Sequence, residues 1–442
     1  MGLLDELAVL AEDEANEGRM AARAAWHEWV AGTLQNGAGA AHTYTKPGCP
    51  WKPGTALALD GRVVADPLHV LAKEAKVLVQ AWQATDTPHD RAADVPAAVP
   101  RLAGPPLEVA ALRAASLTFK AATATQAGGL HPRHIAMLPD EGVQAFCNLL
   151  RSVELLGAWP MQVSLVLTVL LPKPKGGWRG IGLYPAFHRV YTRARRPVAK
   201  QWEQLHKRPF FAAAAGQGPE QVVWRQSLRA EMAVADGLSC GSVLWDLRKF
   251  FEFVDLNTLR ARGLEADFNP RVLAAVVAGY KFARSISGHA GVTAPRWANS
   301  GVTPGCGMAA TTILVYCLKP FDRLVECCRP LMVEWDFYFD DFHVSATGTP
   351  LQVASRLAQA SGRMERMVRE ELCCQVAQDK GGLVASDAAT LAMIKKKLEF
   401  RGLPGAPPPW PAAPTSVSTM WRARRPGMLA CTPAGQEAAS SA

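Results

Sequence analysis

No Cys-x-x-Cys spacing occurs among the 10 cysteines, and Cys327-Cys328 and Cys373-Cys374 stand as adjacent pairs. Neighbouring thiols cannot easily grip one zinc ion together, so buried thiols in a reducing compartment are expected instead of a structural metal. No apolar run is long enough to span a bilayer, which argues against a membrane partner. The opening Met1-Gly2-Leu3-Leu4-Asp5-Glu6-Leu7 carries acid where a secretory leader needs base. Glu6 also stands where a myristoylation signal needs Ser or Thr. A soluble, intracellular protein is expected, with nucleus and cytoplasm not distinguished. The sequence carries no internal repeat.

What is present is a chain of 442 residues, 49% hydrophobic, enough to bury a sizeable core. A net charge of +9 suits a polyanionic partner without requiring one. The first third is rich in alanine. Helical spacing covers residues 3–34 and again 67–82, and the prolines of residues 85–106 mark a linker. Residues 1–106 are therefore expected to be a helical N-terminal region with its linker, and 107–403 the main domain. Residues 404–442, rich in Pro, Ala and Ser, read as a disordered tail. Further helices are predicted over 141–156, 220–234, 256–285 and 350–371. The β-rich run of 163–171 predicts a buried strand. Residues 374–384 read as a strand, a turn and a second strand.

Five stretches carry possible chemistry, each with an ordinary alternative. In Trp335-Asp336-Phe337-Tyr338-Phe339-Asp340-Asp341-Phe342-His343-Val344, aromatic and β-branched residues flank two carboxylates, predicting a hairpin with Asp340 and Asp341 at its turn. The pair is either an exposed turn or a seat for a cation that relieves its repulsion. Leu244-Trp245-Asp246 ends a short strand on a carboxylate, suited to a metal or to capping a helix. The segment from Leu171-Pro172-Lys173 through Gly176-Gly177-Trp178-Arg179 is a basic, glycine-rich hairpin, able to close on a phosphate or simply to face solvent. Arg189, Arg193 and Arg196 share a helix face at helical steps, as a nucleic-acid backbone track or a solvated face. The glycine-broken loop from Gly301 to Gly307 opens a helix, holding backbone near a ligand or merely connecting elements.

The order of these pieces is the informative feature. A lone carboxylate followed by an adjacent pair can hold two divalent ions roughly 3.5–4 Å apart, the arrangement that serves phosphoryl transfer. One ion would lower the pKa of an attacking hydroxyl and the other would stabilise a leaving pyrophosphate. Hard oxygen donors select magnesium, with manganese possible.

Over residues 120–402 the sequence resembles the reverse transcriptases of non-LTR retroelements and group II introns. Tyr338-Phe339-Asp340-Asp341 matches that family's Tyr-x-Asp-Asp motif, and Asp246 through Phe251-Glu252 is similar to its Asp-x-x-x-x-Phe-Asp segment. Leu171-Pro172-Lys173-Pro174 with Arg179 resembles the fingers motif, Gly129-Leu130-His131-Pro132 the lead-in, and Leu398 to Gly402 the primer grip. The resemblance implies an α+β right-hand polymerase of fingers, palm and partial thumb, the palm an antiparallel sheet backed by helices. It implies RNA-templated DNA synthesis from a DNA primer and deoxynucleoside triphosphates. Asp246, Asp340 and Asp341 would be catalytic metal ligands, helped by the Leu247 carbonyl. Lys173, Arg179, Phe251, Gly305 and Lys380 would meet the nucleotide, with Phe251 excluding a ribose hydroxyl. Three departures stand out. Gly180 replaces a Pro, Pro304 replaces the Gln of Gly-x-x-Gln-Gly, and Gly307 and Ala309 replace a following Pro and Ser. An inactive relative that only binds nucleic acid through the three arginines is the competing expectation, and an RNA polymerase a third. No zinc knuckle, nuclease constellation or RNase H carboxylate set is recognisable.

Overall fold

A computed structural model describes residues 3–35, 56–57, 62–86, 106–126, 128–173, 177–213, 218–289, 291–377 and 381–400. The expected tail and Lys380 lie outside these residues. Residues 1–53 form one compact unit and 54–442 a second. The first contributes helix α1 (Leu3–Gln35), on which Trp26 and Trp29 stack with ring centroids 5.0 Å apart.

The second unit begins with the short strands β1 (Ala56–Leu57) and β2 (Val63–Val64), then α2 (Pro67–Ala81), α3 (Val109–Leu117) and α4 (Asp140–Leu156). Hairpin strands β3 (Leu165–Pro172) and β4 (Trp178–Leu183) lead to α5 (Ala186–Ala194), α6 (Arg196–Leu205) and α7 (Pro219–Ala235). Next come β5 (Ser239–Asp246), the single turn α8 (Phe250–Phe253), α9 (Leu256–Glu265), α10 (Pro270–Tyr280), β6 (Ala283–Gly288), β7 (Gly291–Val292) and β8 (Arg296–Trp297). The last elements are α11 (Ala309–Cys328), β9 (Glu334–Tyr338), β10 (Asp341–Gly348), α12 (Pro350–Glu370), β11 (Gly382–Ala385) and α13 (Ala388–Phe400). Local chemistry explains many of the boundaries. Asp255 and Asn269 cap α9 and α10 by accepting the amides of Thr258 and Val272, and Thr349 with Gln352 forms a reciprocal capping box on α12. Helix α4 starts on Asp140 and Glu141 and stops at Gly157, whose φ of +61° suits glycine.

The architecture is α+β, with two larger sheets among the described residues beside the short β1–β2 pair. One is a four-stranded antiparallel sheet in the order β11-β5-β10-β9. Helices α12 and α13 lie against it over Gly241, where an added Cβ would come within 2.6 Å of Ile394 and 2.9 Å of Val353. The β9 edge is covered by residues 210–212: Phe337 donates to the Phe210 carbonyl (2.8 Å) and Ala212 to that of Phe337 (2.9 Å). The other sheet runs β4-β3-β6-β7, with β8 also on β6, and its β3–β6 pairing is parallel. Helix α2 packs on it, burying Leu71, Leu78 and Trp82 against Leu170, Ile286 and Ala298.

Two expectations are corrected. Residues 283–285 are not helical but open β6, because parallel pairing with β3 satisfies backbone groups that the local pattern Ala-Arg-Ser-Ile-Ser-Gly does not specify. Residues 374–377 make only an isolated bridge, Leu247 to Val376, before β11. Leu398, in the stretch that resembles a primer grip, is buried on α13, and residues 401–402 of that stretch lie outside the described residues.

A polar cluster fastens α7 to the first sheet. Asp336 on β9 is 2% exposed and takes hydrogen bonds from Arg225 (3.2 Å) and Gln226 (3.1 Å), with His343 Nδ1 at 3.3 Å on the opposed position of β10. Burial pushes this carboxyl up, but hydrogen bonding and charge from His343, with Gln226 and Arg229, outweigh burial and leave it below 3.8. A lowered folded-state pKa means that the contribution is complete above the ordinary value and is lost as pH falls through the lowered one. Asp336→Asn is therefore expected to cost roughly 1.5–3 kcal/mol at neutral pH. In denaturation experiments the gap between variant and wild type should close as the pH drops below 3.8.

Candidate active site

The register of β5 on β10 builds the centre. Asp246, the last residue of β5, pairs directly with Asp341, the first of β10. Directly opposed residues on an antiparallel ladder lie about 4.5–5.5 Å apart at Cα and leave the sheet on the same face. Asp340 sits beside them in the turn, and its carbonyl accepts the Leu247 amide at 2.9 Å. The turn itself differs from expectation by one residue. It consists of Phe339 and Asp340, since Tyr338 already pairs with Asp341. Phe339 holds a φ of +54°, a costly conformation for a bulky side chain. Its ring packs 5.2 Å from that of Tyr338 and 6.0 Å from that of Phe251.

All three carboxylates are half-buried. Among the described residues, no three His, Cys, Asp or Glu side chains are gathered into a metal-holding group as they stand. Like charges with no cation between them repel. The donor chemistry and the backbone placement nevertheless fit a hard divalent cation: carboxylate oxygens on two adjoining strand ends, with the Leu247 backbone between.

The strand end is held from behind. The Asp246 carbonyl accepts Ala377 N–H at 2.8 Å, and Arg248 N–H donates to the Gln375 carbonyl at 2.9 Å. Lys249 then turns the chain with a φ of +49° into α8, which carries Phe251. Burial draws the Lys249 ammonium below its ordinary value; Glu74 and Glu252 pull it up, while Lys173 and Arg248 push it further down. Lys249 thus adds a cation three residues after Asp246 that the sequence reading missed. Nothing but its place three residues after Asp246 could have flagged it.

Lys173 and Arg179 are both exposed on the β3–β4 hairpin, whose turn closes through Lys173 N–H to the Gly177 carbonyl (2.9 Å). Gly305 lies against the far end of that hairpin. The Gly182 amide donates to the Pro304 carbonyl at 2.6 Å, and a Cβ on Gly305 would meet the Gly182 oxygen at 2.2 Å. Two of the motif departures so acquire a structural setting. Pro304 offers its carbonyl to β4, and a Cβ at Gly180 would come within 2.9 Å of Thr168. The other end of the loop is tied to α8, with Gly301 N–H on the Val254 carbonyl and Val302 N–H on that of Phe251, both at 2.8 Å.

The three arginines do not form one stripe. Arg189 and Arg193 on α5 stand over the Phe119 ring at 5.2 and 4.9 Å, and Arg189 also donates to the Ala124 carbonyl (2.7 Å). Arg196 begins a separate helix and binds Glu203 (3.0 Å) and Thr311 (2.6 Å). Arg195 between them is buried on Glu154 at 2.6 and 2.7 Å, a structural pair. The helix break at Arg195–Arg196 is what separates the faces.

The loop contacts make a direct prediction. Gly305→Ala would place a methyl group against backbone at a φ of +109°. It is expected to lower folding stability by roughly 1–3 kcal/mol from strain alone. An unchanged denaturation midpoint would contradict the seating of the loop on β4.

No family model matches the sequence. No curated protein matches it either. Solved structures that it partly resembles include apo telomerase from Candida tropicalis truncated from its C-terminal domain, at 12% identity and a TM-score of 0.38, covering 51% of each chain. Telomerase from Candida tropicalis in complex with a TWJ fragment of telomeric RNA is similar at 11% identity and 0.39, over 51% of this chain and 41% of that one. The corresponding Candida albicans complex stands at 13% and 0.39, over 52% of this chain and 43% of its own. The chain thus spans about half or less of the length of these structures.

Proposed function

We propose that the chain is a reverse transcriptase of right-hand architecture, adding deoxynucleotides to a DNA primer 3′ hydroxyl on an RNA template. The single observation that carries this reading is the pairing of Asp246 with Asp341, with Asp340 in the adjoining turn. The first sheet would be the palm and the β3–β4 hairpin part of the fingers. Asp246, Asp340, Asp341 and the Leu247 carbonyl would hold two magnesium ions. When bound, these supply charge neutralisation at the attacking and leaving oxygens.

The chain's own groups do the rest. Exposed Lys173 and Arg179, with Lys249 three residues after Asp246, would receive the triphosphate. Phe251, whose ring lies 6.0 Å from that of Phe339 in the hairpin turn, would exclude a ribose 2′ hydroxyl. Arg189 and Arg193, braced on Phe119, would contact nucleic-acid phosphates. Arg196, committed to Glu203, is left out of that role.

Pro304 favours a second reading, a nucleic-acid-binding relative without turnover, because it puts a ring where the family carries a Gln and ties its carbonyl to Gly182. Primer extension on an RNA template with deoxynucleotides and magnesium separates the two. Wild-type protein is expected to give product, and Asp340→Ala to reduce it by at least about a hundredfold, a loss on the scale of removing one electrostatic contributor to the transition state. Equal product from both would remove the enzyme reading. Phe251→Ala should raise ribonucleotide incorporation, whereas an RNA polymerase would show no change.

A further inference from the structure

Helix α2 lies outside the stretch that resembles a polymerase, yet the residue that caps its C-terminus, Trp82, reaches the segments around the site. Trp82 is 1% exposed, and its carbonyl accepts the amides of Asn299 (2.9 Å) and Ser300 (3.0 Å), the two residues that lead into the Gly301 loop. Its indole N–H donates to the Glu252 carboxylate. Its ring lies under the Arg284 guanidinium, 4.8 Å away.

Glu252 and Arg284 are costly groups to bury. The Arg284 side chain is 0% exposed and that of Glu252 13%, with 4.0 Å between them. A buried charge persists only where partners replace water. Arg284 obtains them by donating to the carbonyls of Tyr280 (2.8 Å) and Gly301 (2.9 Å). Glu252 obtains them from the indole of Trp82 and the nearby guanidinium. Of these partners, Gly301 opens the loop whose Val302 amide holds the Phe251 carbonyl.

The consequence falls on Phe251. It occupies α8, four residues long, and a single helical turn has no stability of its own. Its attitude must come from what its neighbours hold. Glu252 anchors one side, and the Phe251 carbonyl is taken by Val302 of the loop that Arg284 and Trp82 support. Gly301 has no room to move inward, since a Cβ there would already be 3.0 Å from the Glu252 carbonyl.

We propose that Trp82 is a positioning residue for nucleotide selection: through Glu252 and Arg284 it fixes the Phe251 turn and the Gly301–Gly305 loop. The selection role rests on the polymerase reading above, whereas the positioning itself does not. Trp82→Phe keeps an aromatic ring beside Arg284 and removes the indole N–H together with part of the bicyclic ring, so the exchange of the sheet amides serves as the control for the space it leaves.

Two measurements on the full chain decide the matter. Hydrogen exchange at the Gly301 and Val302 amides is expected to quicken about tenfold in Trp82→Phe, while the β5 and β10 amides keep their protection. In primer extension, the KM for deoxynucleotides should rise about tenfold with kcat changed less than twofold, and discrimination against ribonucleotides should fall. Glu252→Gln should move the same quantities in the same direction. Unchanged exchange in the loop overturns the proposal, as does faster exchange throughout the sheet, which would mark Trp82 as merely structural. Loop-specific exchange with unaltered KM and discrimination overturns the selection role. If wild type and Asp340→Ala alike fail to extend primers, the polymerase reading falls, and the loop exchange still decides the positioning.

Discussion

The antiparallel ladder between β5 and β10 is the constraint from which the rest of the site follows. Its register sets Asp246 against Asp341 and His343 against Leu244, and it is shared with β9 and β11 on either side. A slip of one residue would send every side chain of β10 to the opposite face. The slip is prevented by what the helix-covered face meets. Val243, Trp245, Phe342 and Val344 are buried, and Gly241 admits α12 and α13 too closely for any side chain. A packed core thereby fixes the separation of two carboxylates that would otherwise repel.

Around that ladder, the irregular parts of the site are held by hydrogen bonds and buried charge more than by apolar packing. The turn after Asp246, the one-turn helix with Phe251, the Gly301–Gly305 loop and strand β4 are linked in series by backbone bonds from Val302 to Phe251 and from Gly182 to Pro304. Glycine is required along this series where a Cβ would strike the adjoining segment, at Gly182 and Gly305, and at Gly301 with its φ of +94°. The buried Arg284 and Glu252 tie the same segments together from within. Such a network stabilises little in net free energy and is strongly unfavourable when broken, which makes it suited to fixing geometry.

The elements were largely legible where local signals were strong. The long amphipathic helices, the β3 strand and the glycine-bearing hairpin all carry spacing or turn chemistry that works over a few residues. Strand β6 was not legible, because Ala283-Arg284-Ser285 has no strand pattern and becomes one only beside β3. The arginine run misled for a related reason. Helical spacing treats residues 189–196 as one cylinder, but the chain breaks at Arg195, and Glu154 and Glu203 draw two of the arginines inward. Lys249 and Trp82 were invisible as site residues, since Lys249 fills a variable position of its motif, Trp82 lies in none, and both matter only by what approaches them.

The sequence by itself determined the chemistry on offer: three carboxylates in order along the chain, cations on a glycine-bearing hairpin, a phenyl ring five positions after the first carboxylate, and a glycine loop opening a helix. These are properties of residue type and short spacing, and they survive without knowledge of the fold. Only the tertiary structure decided which of them meet. It opposed Asp246 to Asp341, moved the turn onto Phe339, seated Pro304 on Gly182, and brought Trp82 from a distant helix to the carboxylate beside Phe251. Those meetings join residues tens to hundreds of positions apart, and such contacts are set by the packing of whole elements, which no local pattern encodes.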